Sequence, residues 1–430
     1  MPKTHVAANA ALLNLLTLLT LLAACASGPV AREATPAPDS LRVRRDIEYL
    51  ASDALQGRGT GTPGNDSATA WAARRYAELG LRPMLPTFLQ PFVARSAMLA
   101  HNGVAAELPT NNVVAYLPGT SAALRNQVIV IGAHIDHLGR STAGALDPDA
   151  KDAIRNGADD NASGSAAVLE LARLLHARPL RRSVLFVNFT GEELGLLGSQ
   201  YFVEHSPVPL DSIDAMLNFD MVGRLRADKV IVYGLGSARE LPAALDTANA
   251  HAAMDLRRVN DGFGPSDQSS FVAKNIPVLH FFTDLHDDYH RATDDADKIN
   301  AAGEAKVIAL AERVVREIDA RDQRLTFIRM PAPAPVAARS GSNVYLGSIP
   351  DMASGDIKGL KLTGVRAGSP ADSAGIKAGD VVVELDGKPV TDLQTYSDAL
   401  YAHQPGDVID VVVVRDGQRV ALKVKLGQRS

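Results

Sequence analysis

The sequence VIVIGAHIDH, residues 128–137, gives the clearest indication of the fold of this chain. It begins with an unbroken run of β-branched residues and ends with two histidines and an aspartate. A continuous apolar run is typical of a strand that is buried on both faces of a sheet. SVLFVNFTGEE (183–193) and AMLNFDM (215–221) repeat the pattern, since acidic residues follow each apolar run. Three such strands indicate a sheet whose polar residues gather where the strands end.

Short β-branched runs alternate with helical stretches over much of the chain. Further candidate strands are NVVAYL (112–117), VIVYG (230–234) and PVLHFF (277–282). Helical patterns cover Ser163–His176, Glu240–Ala252 and Gly303–Ala320, and two more start near Leu41 and run from Asp66 to Leu79. The alternation predicts an α/β fold with a mixed, mostly parallel sheet sandwiched by helices. GRGTGTPG (57–64) matches the dinucleotide fingerprint, but it follows a helical segment and contains proline, so we interpret it as a turn.

The composition is that of an ordinary globular protein. The chain has 430 residues, of which 46% are hydrophobic and 22% are charged, and its formal net charge is -5. This length predicts two or three domains. A mildly acidic chain lacks the basic surface that binds nucleic acid, so we expect no nucleic-acid partner.

The N-terminal segment has the pattern of an export signal. Lys3 precedes an apolar run from Ala10 to Leu22, which is too short to span a bilayer. The run ends in LAAC (22–25), which resembles the bacterial lipobox and contains the single cysteine, Cys25. We predict a lipoprotein signal peptide over 1–24, a tether over 25–40 and a lipid anchor on Cys25, in the outer membrane facing the periplasm or the cell surface. A cleaved signal with a chance cysteine is the alternative.

Acidic residues and histidines follow the predicted strands, at the edge where functional groups gather in open α/β sheets. They are His134 and Asp136, Glu192 and Glu193, Asp220, Asp160 in NGADDNASG (156–164), and His290 in DLHDDYHRATDD (284–295). Each alone has an ordinary explanation, such as a helix cap or a solvated loop residue. Together, so many carboxylates would repel one another and resist burial, and divalent cations would resolve that conflict. Histidine and carboxylate ligands favour zinc.

Other catalytic schemes lack their residues. The chain contains neither the HExxH motif of helical metalloproteases nor the GxSxG nucleophile elbow. Its single cysteine lies at the predicted anchor, which excludes a catalytic thiol. His280 lies inside an apolar strand, and we interpret it as a buried core residue.

Five ordered motifs resemble those of one enzyme family. AHIDHLG, GADDNASG, TGEELGLLGS, NFDMVGR and DYHRATDD are similar to motifs of the co-catalytic zinc peptidases in the bacterial leucyl-aminopeptidase and glutamate-carboxypeptidase clan. The resemblance extends from about Asp39 to Arg321, and we assign a metallopeptidase domain to residues 41–328. It implies a zinc-exopeptidase fold, peptide substrates and two zinc ions that share a bridging water.

The resemblance also implies a role for each matching residue. His134 and Asp220 complete one zinc site, Glu193 and His290 complete the other, Asp160 bridges both, Glu192 is the general acid/base, and Asp136 orients His134. Asp267, in GPSDQSSF, is expected to have a supporting role. One departure is Ala292, because family members often carry a proline two residues after the last histidine. This difference puts the stiffness of the loop in question.

A Pro/Ala-rich linker over 329–341 precedes a C-terminal module over 342–430. YLGSIP (345–350) and SPADSAGIKAGDVVVELDG (369–387) resemble a bacterial PDZ domain, which is a small β-rich fold. The resemblance implies that the loop formed by Tyr345, Leu346, Gly347 and Ser348 captures the C-terminal carboxylate of a peptide, which adds a strand to the sheet. A folded spacer with an unused groove is the alternative.

The expected activity is release of the N-terminal residue from peptides. Carboxypeptidase or dipeptidase action, and glutaminyl cyclisation as in single-zinc relatives, are the enzymatic alternatives. The presence of both Glu192 and Glu193 favours hydrolysis over cyclisation. A non-enzymatic alternative is an envelope PDZ binding protein with a vestigial catalytic domain.

Overall fold

The computed structural model describes residues 36–95, 107–142, 144–147, 149–264, 266–330, 344–350, 358–365, 368–391 and 393–428. The predicted signal peptide, the anchor Cys25, and most of the tether and the linker lie outside the described residues. Within the described ranges, no helix is long and apolar enough to cross a membrane.

A nine-stranded mixed sheet forms the centre of the larger region. Its strands are β1 (Arg82–Pro83), β2 (Leu89–Arg95), β3 (Glu107–Leu117), β4 (Val128–His134), β5 (Ser183–Phe189), β6 (Ile213–Phe219), β7 (Lys229–Tyr233), β8 (Asp255–Arg258) and β9 (Val278–Phe282). They lie in the order β1-β3-β5-β4-β6-β9-β7-β8, and β2 pairs with β3. The central strands β5, β4, β6 and β9 are parallel, whereas β3 and β7 run antiparallel to them. The predicted α/β fold with a mixed sheet is confirmed.

The helices of this region are α1 (Ser40–Leu50), α2 (Pro63–Glu78), α3 (Gly164–Ala177), α4 (Leu197–Glu204), α5 (Leu241–Ala252), α6 (Gln268–Val272) and α7 (Ala301–Asp319). Five of them coincide with predicted helical stretches. Helix α2 begins three residues earlier than predicted, because Thr62 accepts a hydrogen bond from the Asn65 amide and Pro63 occupies the first turn. Helices α4 and α6 were not predicted, since they are too short to show a helical period.

Both faces of the sheet are buried, as continuous apolar strands require. In β5, Val184 and Phe186 belong to a hydrophobic cluster that includes residues of α1, α3 and α7. Leu185 and Val187 alternate with them and belong to a second cluster, which includes residues of α4 and α6. The sheet is therefore covered by helices on both sides, and its strand ends are held rigidly.

The parallel strands β4, β5 and β6 bring the polar residues that follow them to one edge of the sheet. His134 ends β4 directly opposite Phe189, the last residue of β5. Gly132 lies opposite Asn218 of β6, two residues before Asp220. Glu192, Glu193 and Asp220 therefore emerge beside His134 because of strand register alone.

The C-terminal region has its own hydrophobic core, which includes Leu362, Val382 and Val411. Its strands are β10 (Val344–Tyr345), β11 (Ser348–Pro350), β12 (Leu360–Val365), β13 (Val381–Leu385), β14 (Lys388–Pro389), β15 (Val408–Arg415), β16 (Gln418–Lys425) and β17 (Gly427–Gln428), and its helices are α8 (Pro370–Ser373) and α9 (Leu393–Tyr401). The sheet order is β11-β12-β13-β15-β16, so β11 is an edge strand. The prediction of a small β-rich domain is confirmed.

Candidate metal centre

The first cluster of candidate ligands surrounds His134 at the end of β4. His134 Nε2 lies 3.3 Å from Asp160 Oδ1 and 3.4 Å from Asp220 Oδ1. The other ring nitrogen, Nδ1, lies 3.1 Å from the backbone carbonyl of Asp136. Donation from Nδ1 to this carbonyl leaves Nε2 as the lone-pair nitrogen that faces the two carboxylates.

The second cluster surrounds His290, which lies in the loop after β9. His290 Nε2 lies 3.1 Å from Asp160 Oδ2 and 3.3 Å from Glu193 Oε2. Its Nδ1 lies 3.0 Å from the carbonyl of Gly144, to which it donates a hydrogen bond. His290 thus has the same arrangement as His134, with one nitrogen fixed by backbone and the other facing carboxylates.

Asp160 belongs to both clusters, because its two oxygens face different histidines. Its backbone amide and that of Asp159 each donate to Asp294 Oδ2, at 3.0 and 2.9 Å. Asp294 therefore fixes the segment that carries Asp160. His286 does not join either cluster, since its Nε2 pairs with Asp159 Oδ2 at 3.1 Å.

Asp136 supports the site through different contacts from those that the resemblance implies. Its carboxylate accepts a hydrogen bond from Thr60 Oγ1 at 2.7 Å and one from the Glu192 amide at 3.3 Å. The distance from Asp136 Oδ1 to His134 Nδ1 is 3.8 Å, so it is the Asp136 carbonyl that orients the imidazole. The carboxylate instead connects the start of the Glu192 turn to the segment before α2.

Sequence reasoning missed Arg58, which lies in the GRGTGTPG segment. Only the middle of the segment, at Thr60 and Gly61, is a turn, because residues 57–58 end a 3-10 helix (Asp53–Arg58) and residues 63–64 begin α2. The Arg58 side chain is completely buried. The guanidinium donates hydrogen bonds to the carbonyls of Ile135, Asn156 and Gly157. These residues flank Asp136 and Asp160, so Arg58 ties together the two segments that carry these carboxylates.

The two adjacent glutamates have opposite electrostatic surroundings. Burial raises the pKa of Glu192 well above its usual value, and the charges of Glu193 and Asp220 raise it further. Burial also raises the pKa of Glu193, but the nearby His290 and His137 outweigh it and lower that pKa to about 2. Glu193 is therefore ionised at neutral pH, whereas Glu192 readily takes up a proton.

The donor set fits zinc. Burial lowers the pKa of His134 and His290, yet the facing carboxylates raise both pKa values well above the usual range. Surroundings that favour a proton on each imidazole also favour a metal cation beside it. Asp220 Oδ1 is buried and accepts no hydrogen bond from any described residue, as expected of an oxygen reserved for a cation. Neutral imidazole nitrogens and carboxylate oxygens are ordinary zinc ligands.

A pocket opens beside the two clusters. Four of the candidate ligands and Glu192 line it, and the other lining residues are Met221, Tyr233, Gly264, Ser266, Gln268, His280, Phe282, Leu285 and Tyr289. Burial lowers the pKa of His280 to about 4, so this residue, predicted to be buried, contributes an uncharged wall. The Tyr289 ring stacks on His290 at 3.9 Å between centroids. The pocket therefore presents a mostly apolar surface next to the metal centre.

Two segments of the chain match known families. Residues 112–315 match peptidase family M28, and residues 343–426 match the PDZ domain. The first segment belongs to peptidase family M28. Leucine aminopeptidase 2 of Trichophyton equinum is 31% identical over 183 residues, which cover 40% of this chain and 34% of that protein. The chain thus spans about a third of the length of this relative.

Solved structures share the fold of the M28 domain. A zinc aminopeptidase from Bacillus subtilis matches with a TM-score of 0.54 at 16% identity, over 68% of this chain and 97% of that chain. A glutaminyl cyclase from Porphyromonas gingivalis also matches with a TM-score of 0.54, at 19% identity over 66% and 99% of the two chains. The fold is therefore common to peptidases and a cyclase, and only the site distinguishes them.

A loop of the M28 domain clamps the segment that carries His290. Gly144 accepts from His290 Nδ1, and the Leu146 amide donates to the His290 carbonyl at 2.9 Å. Asp147 Oδ2 accepts from the Ala292 amide at 2.8 Å, and Asp147 itself pairs with the buried Arg155 at 2.6 Å. A proline at position 292 has no N–H to donate. The hydrogen bond from the Ala292 amide thus holds the backbone at the position where the chain departs from the family pattern.

The predicted carboxylate-binding loop of the PDZ domain lies directly before the edge strand β11. Gly347 has φ +83, and a Cβ atom there would lie 2.2 Å from Ser369 Cβ, so the turn requires glycine. Leu346 is buried, and its carbonyl accepts from the Ala371 amide at 2.9 Å. Ser348 Oγ lies 2.5 Å from the hydroxyl of Tyr396 in α9. The loop therefore leads directly into β11, the first strand in the sheet order.

The structure brings together all seven residues that the sequence predicted for the metal centre, and it adds one that was missed. His137 Nδ1 lies 2.7 Å from Glu193 Oε1. The sequence could have indicated this residue, since His137 directly follows Asp136 in VIVIGAHIDH (128–137). Asp267 is fully buried, and burial raises its pKa to about 7, but the supporting role predicted for it remains a prediction.

We predict that Ala292→Pro weakens zinc binding, because the clamp loses the N–H that Asp147 accepts. The expected loss is about 10-fold or more, as for other residues that position metal ligands. Competition with a chromophoric chelator measures the affinity. Ala292→Gly keeps the N–H and serves as the matched control, with an affinity close to that of the unaltered chain. Equal zinc affinity of the proline variant and the unaltered chain would contradict the clamp.

Proposed function

We propose that the chain is a dizinc aminopeptidase that releases N-terminal residues from peptides. The observation that carries this proposal is the position of Asp160, whose Oδ1 faces His134 and whose Oδ2 faces His290. One carboxylate between two ligand sets is what a pair of cations requires. Two cations also balance the buried carboxylates, since the ion pairs that these form among the described residues are with histidines and Arg58 acts on them only from a greater distance.

The ligand set divides into two positions that share Asp160. His134 and Asp220 would hold one zinc ion, and Glu193 and His290 would hold the other. Zinc supplies Lewis acidity, which polarises a scissile carbonyl and makes a nearby water more acidic. The protein fixes the directions of His134, His290 and Asp160, through the carbonyls of Asp136 and Gly144 and the Asp294 carboxylate.

Glu192 is the residue that we propose moves the proton. Its Oε2 lies 4.0 Å from His134 Nε2, farther than the oxygens of Asp160 and Asp220 at 3.3 and 3.4 Å, so we assign Glu192 the proton transfer and those two residues the ligand positions. Because burial and neighbouring carboxylates raise its pKa, Glu192 accepts a proton from the attacking water readily. The same proton then passes to the nitrogen of the leaving group, which restores the carboxylate.

The surroundings of the centre favour a substrate with a free N-terminus. A protonated amine is attracted to a pocket that carries Asp160, Glu192 and Asp220. The wall of Met221, Phe282 and Leu285 accepts an apolar side chain next to the centre. The similarity to leucine aminopeptidase 2 of Trichophyton equinum supports the same substrate class.

The Glu192→Gln variant tests the proton transfer, and substrates with a free or a blocked amine test the substrate class. We expect the variant to keep its zinc and to lose about 10²-fold to 10⁴-fold in kcat, because the amide cannot accept the proton. The unaltered chain should hydrolyse leucine p-nitroanilide and leave its N-acetyl form intact. Metal analysis and release of p-nitroaniline measure the two effects.

The control for this experiment is Glu48→Gln, which makes the same chemical change at an exposed position. It should leave both zinc content and turnover unaltered. Preferential cleavage of N-blocked substrates, or release of C-terminal residues, would overturn the aminopeptidase proposal. Conversion of an N-terminal glutamine peptide to its cyclic product without hydrolysis would favour the cyclase.

We further propose that the chain is anchored in the cell envelope through lipid on Cys25. The LAAC sequence at 22–25 and the apolar run before it support this location. In a bacterial host that processes lipoproteins, the full chain should appear in the membrane fraction, and Cys25→Ser should move it to the soluble fraction. A membrane-bound Cys25→Ser variant would contradict the anchor.

The PDZ domain is proposed to bind peptides by their C-termini. Support comes from the position of β11 at the sheet edge, directly after the loop of Tyr345 to Ser348. A peptide that adds a strand to β11 places its carboxylate at the amides of this loop. A fluorescent peptide pool with free C-termini should bind the full chain at least about 10-fold more tightly than the same pool amidated. Equal binding of both pools would contradict carboxylate capture.

A further inference from the structure

His137 lies within the second cluster, although the five-residue ligand set does not use it. Its side chain is completely buried, and its Nδ1 lies 2.7 Å from Glu193 Oε1 and 3.7 Å from Asp160 Oδ2. The ring meets that of His290 edge-on, with 5.7 Å between centroids. His137 therefore contacts one of the two Glu193 oxygens that could bind a cation.

The position of the His137 ring is fixed by the backbone around it. Gly157 has φ +57, and a Cβ atom there would lie 2.4 Å from His137 Cγ, so the ring packs directly on the glycine. The backbone amide of His137 donates to the carbonyl of Arg58 at 3.3 Å. Because both contacts come from segments that also hold Asp136 and Asp160, the ring is held in place together with the metal centre.

The interatomic distances distinguish the contact made by His137 from the contacts made by the candidate zinc ligands. Zinc bonds of about 2.0–2.1 Å in a tetrahedron place neighbouring ligand atoms roughly 3.3 Å apart. His290 Nε2 lies at this spacing from Asp160 Oδ2 and Glu193 Oε2, at 3.1 and 3.3 Å. The 2.7 Å from His137 Nδ1 to Glu193 Oε1 is shorter, and it is the length of a hydrogen bond to a carboxylate.

The second ring nitrogen points to the same conclusion. A histidine that ligates zinc almost always donates its outer N–H to a carbonyl or carboxylate, as His134 and His290 do here. Nε2 of His137 is buried and has no hydrogen-bond partner among the described residues. With the proton on Nδ1, the unpartnered atom is an acceptor, and a buried acceptor without a partner costs less than a buried donor.

We propose that His137 is a positioning residue that makes Glu193 a one-oxygen ligand of the second zinc. Its Nδ1–H occupies Oε1, so Oε2, which faces His290, is the oxygen left for the cation. A carboxylate held this way takes one coordination position, and a position that a two-oxygen carboxylate would fill stays open for the substrate. This proposal rests on the dizinc function proposed above.

Two substitutions separate a hydrogen-bond donor from a metal ligand. His137→Phe keeps a ring against Gly157 and removes the donor. His137→Asn places an amide N–H near the position of Nδ1, and an amide nitrogen donates a hydrogen bond but does not ligate zinc. The full chain is loaded with zinc in each form, and a competing chelator measures the two dissociation constants. Circular dichroism verifies that each variant is folded.

We expect the unaltered chain to bind two zinc ions, and His137→Phe to weaken the second about 10-fold to 100-fold while the first keeps its affinity. His137→Asn should restore the second affinity to within a few-fold of the original. Equal weakening by both substitutions would overturn the proposal in favour of direct ligation, and no weakening by His137→Phe would overturn any role. An unaltered chain that binds one zinc would instead overturn the dizinc function on which the proposal rests.

Discussion

Mutual repulsion of carboxylates at the ends of β4, β5 and β6 is the constraint around which the site is built. Asp136 and Asp160 are buried, Glu192 and Asp220 line the same pocket as Asp160, and Glu193 lies beside His290. Two like charges about 4 Å apart repel by roughly 4 kcal/mol even with the screening typical of protein surfaces. Such a cluster persists only where positive charge lies between its members, so the same repulsion that strains the apo site provides the affinity for cations.

Distant parts of the chain hold these charges in place through the backbone. Arg58 donates to carbonyls beside Asp136 and Asp160, and Asp294 accepts from two consecutive amides at Asp160. The Gly144 carbonyl fixes His290 across 146 positions of sequence. Backbone groups cannot rotate away as side chains do, so ligand directions are set before any cation binds. This preorganisation lowers the entropy that binding must remove.

Sequence patterns predicted the parts of the fold that depend on local order. Apolar runs identified β4, β5 and β6 because these strands are buried on both faces, and parallel pairing then placed His134 near Glu193 and Asp220. The patterns missed Arg58 because its partners lie up to 99 positions away and no local period marks them. They also missed β1, β2 and β8, of which β8 is a short edge strand whose residues are mostly exposed and show no alternation. For His137 the residue type was visible, but its partner depends on how the Glu193 turn folds.

Glu192 and Glu193 are adjacent residues of the same type in one turn, and the turn gives them different chemical roles. The Glu192 amide is fixed by Asp136, and its carbonyl accepts from the amides of Gly195 and Leu196. The turn therefore cannot rotate, and the two carboxylates point to different surroundings. Glu193 lies beside His290 and His137 and stays ionised, whereas burial outweighs the nearby His134 and favours a proton on Glu192. An exchange of roles would require the backbone to break its contact with Asp136, so the division between ligand and base is fixed by the fold.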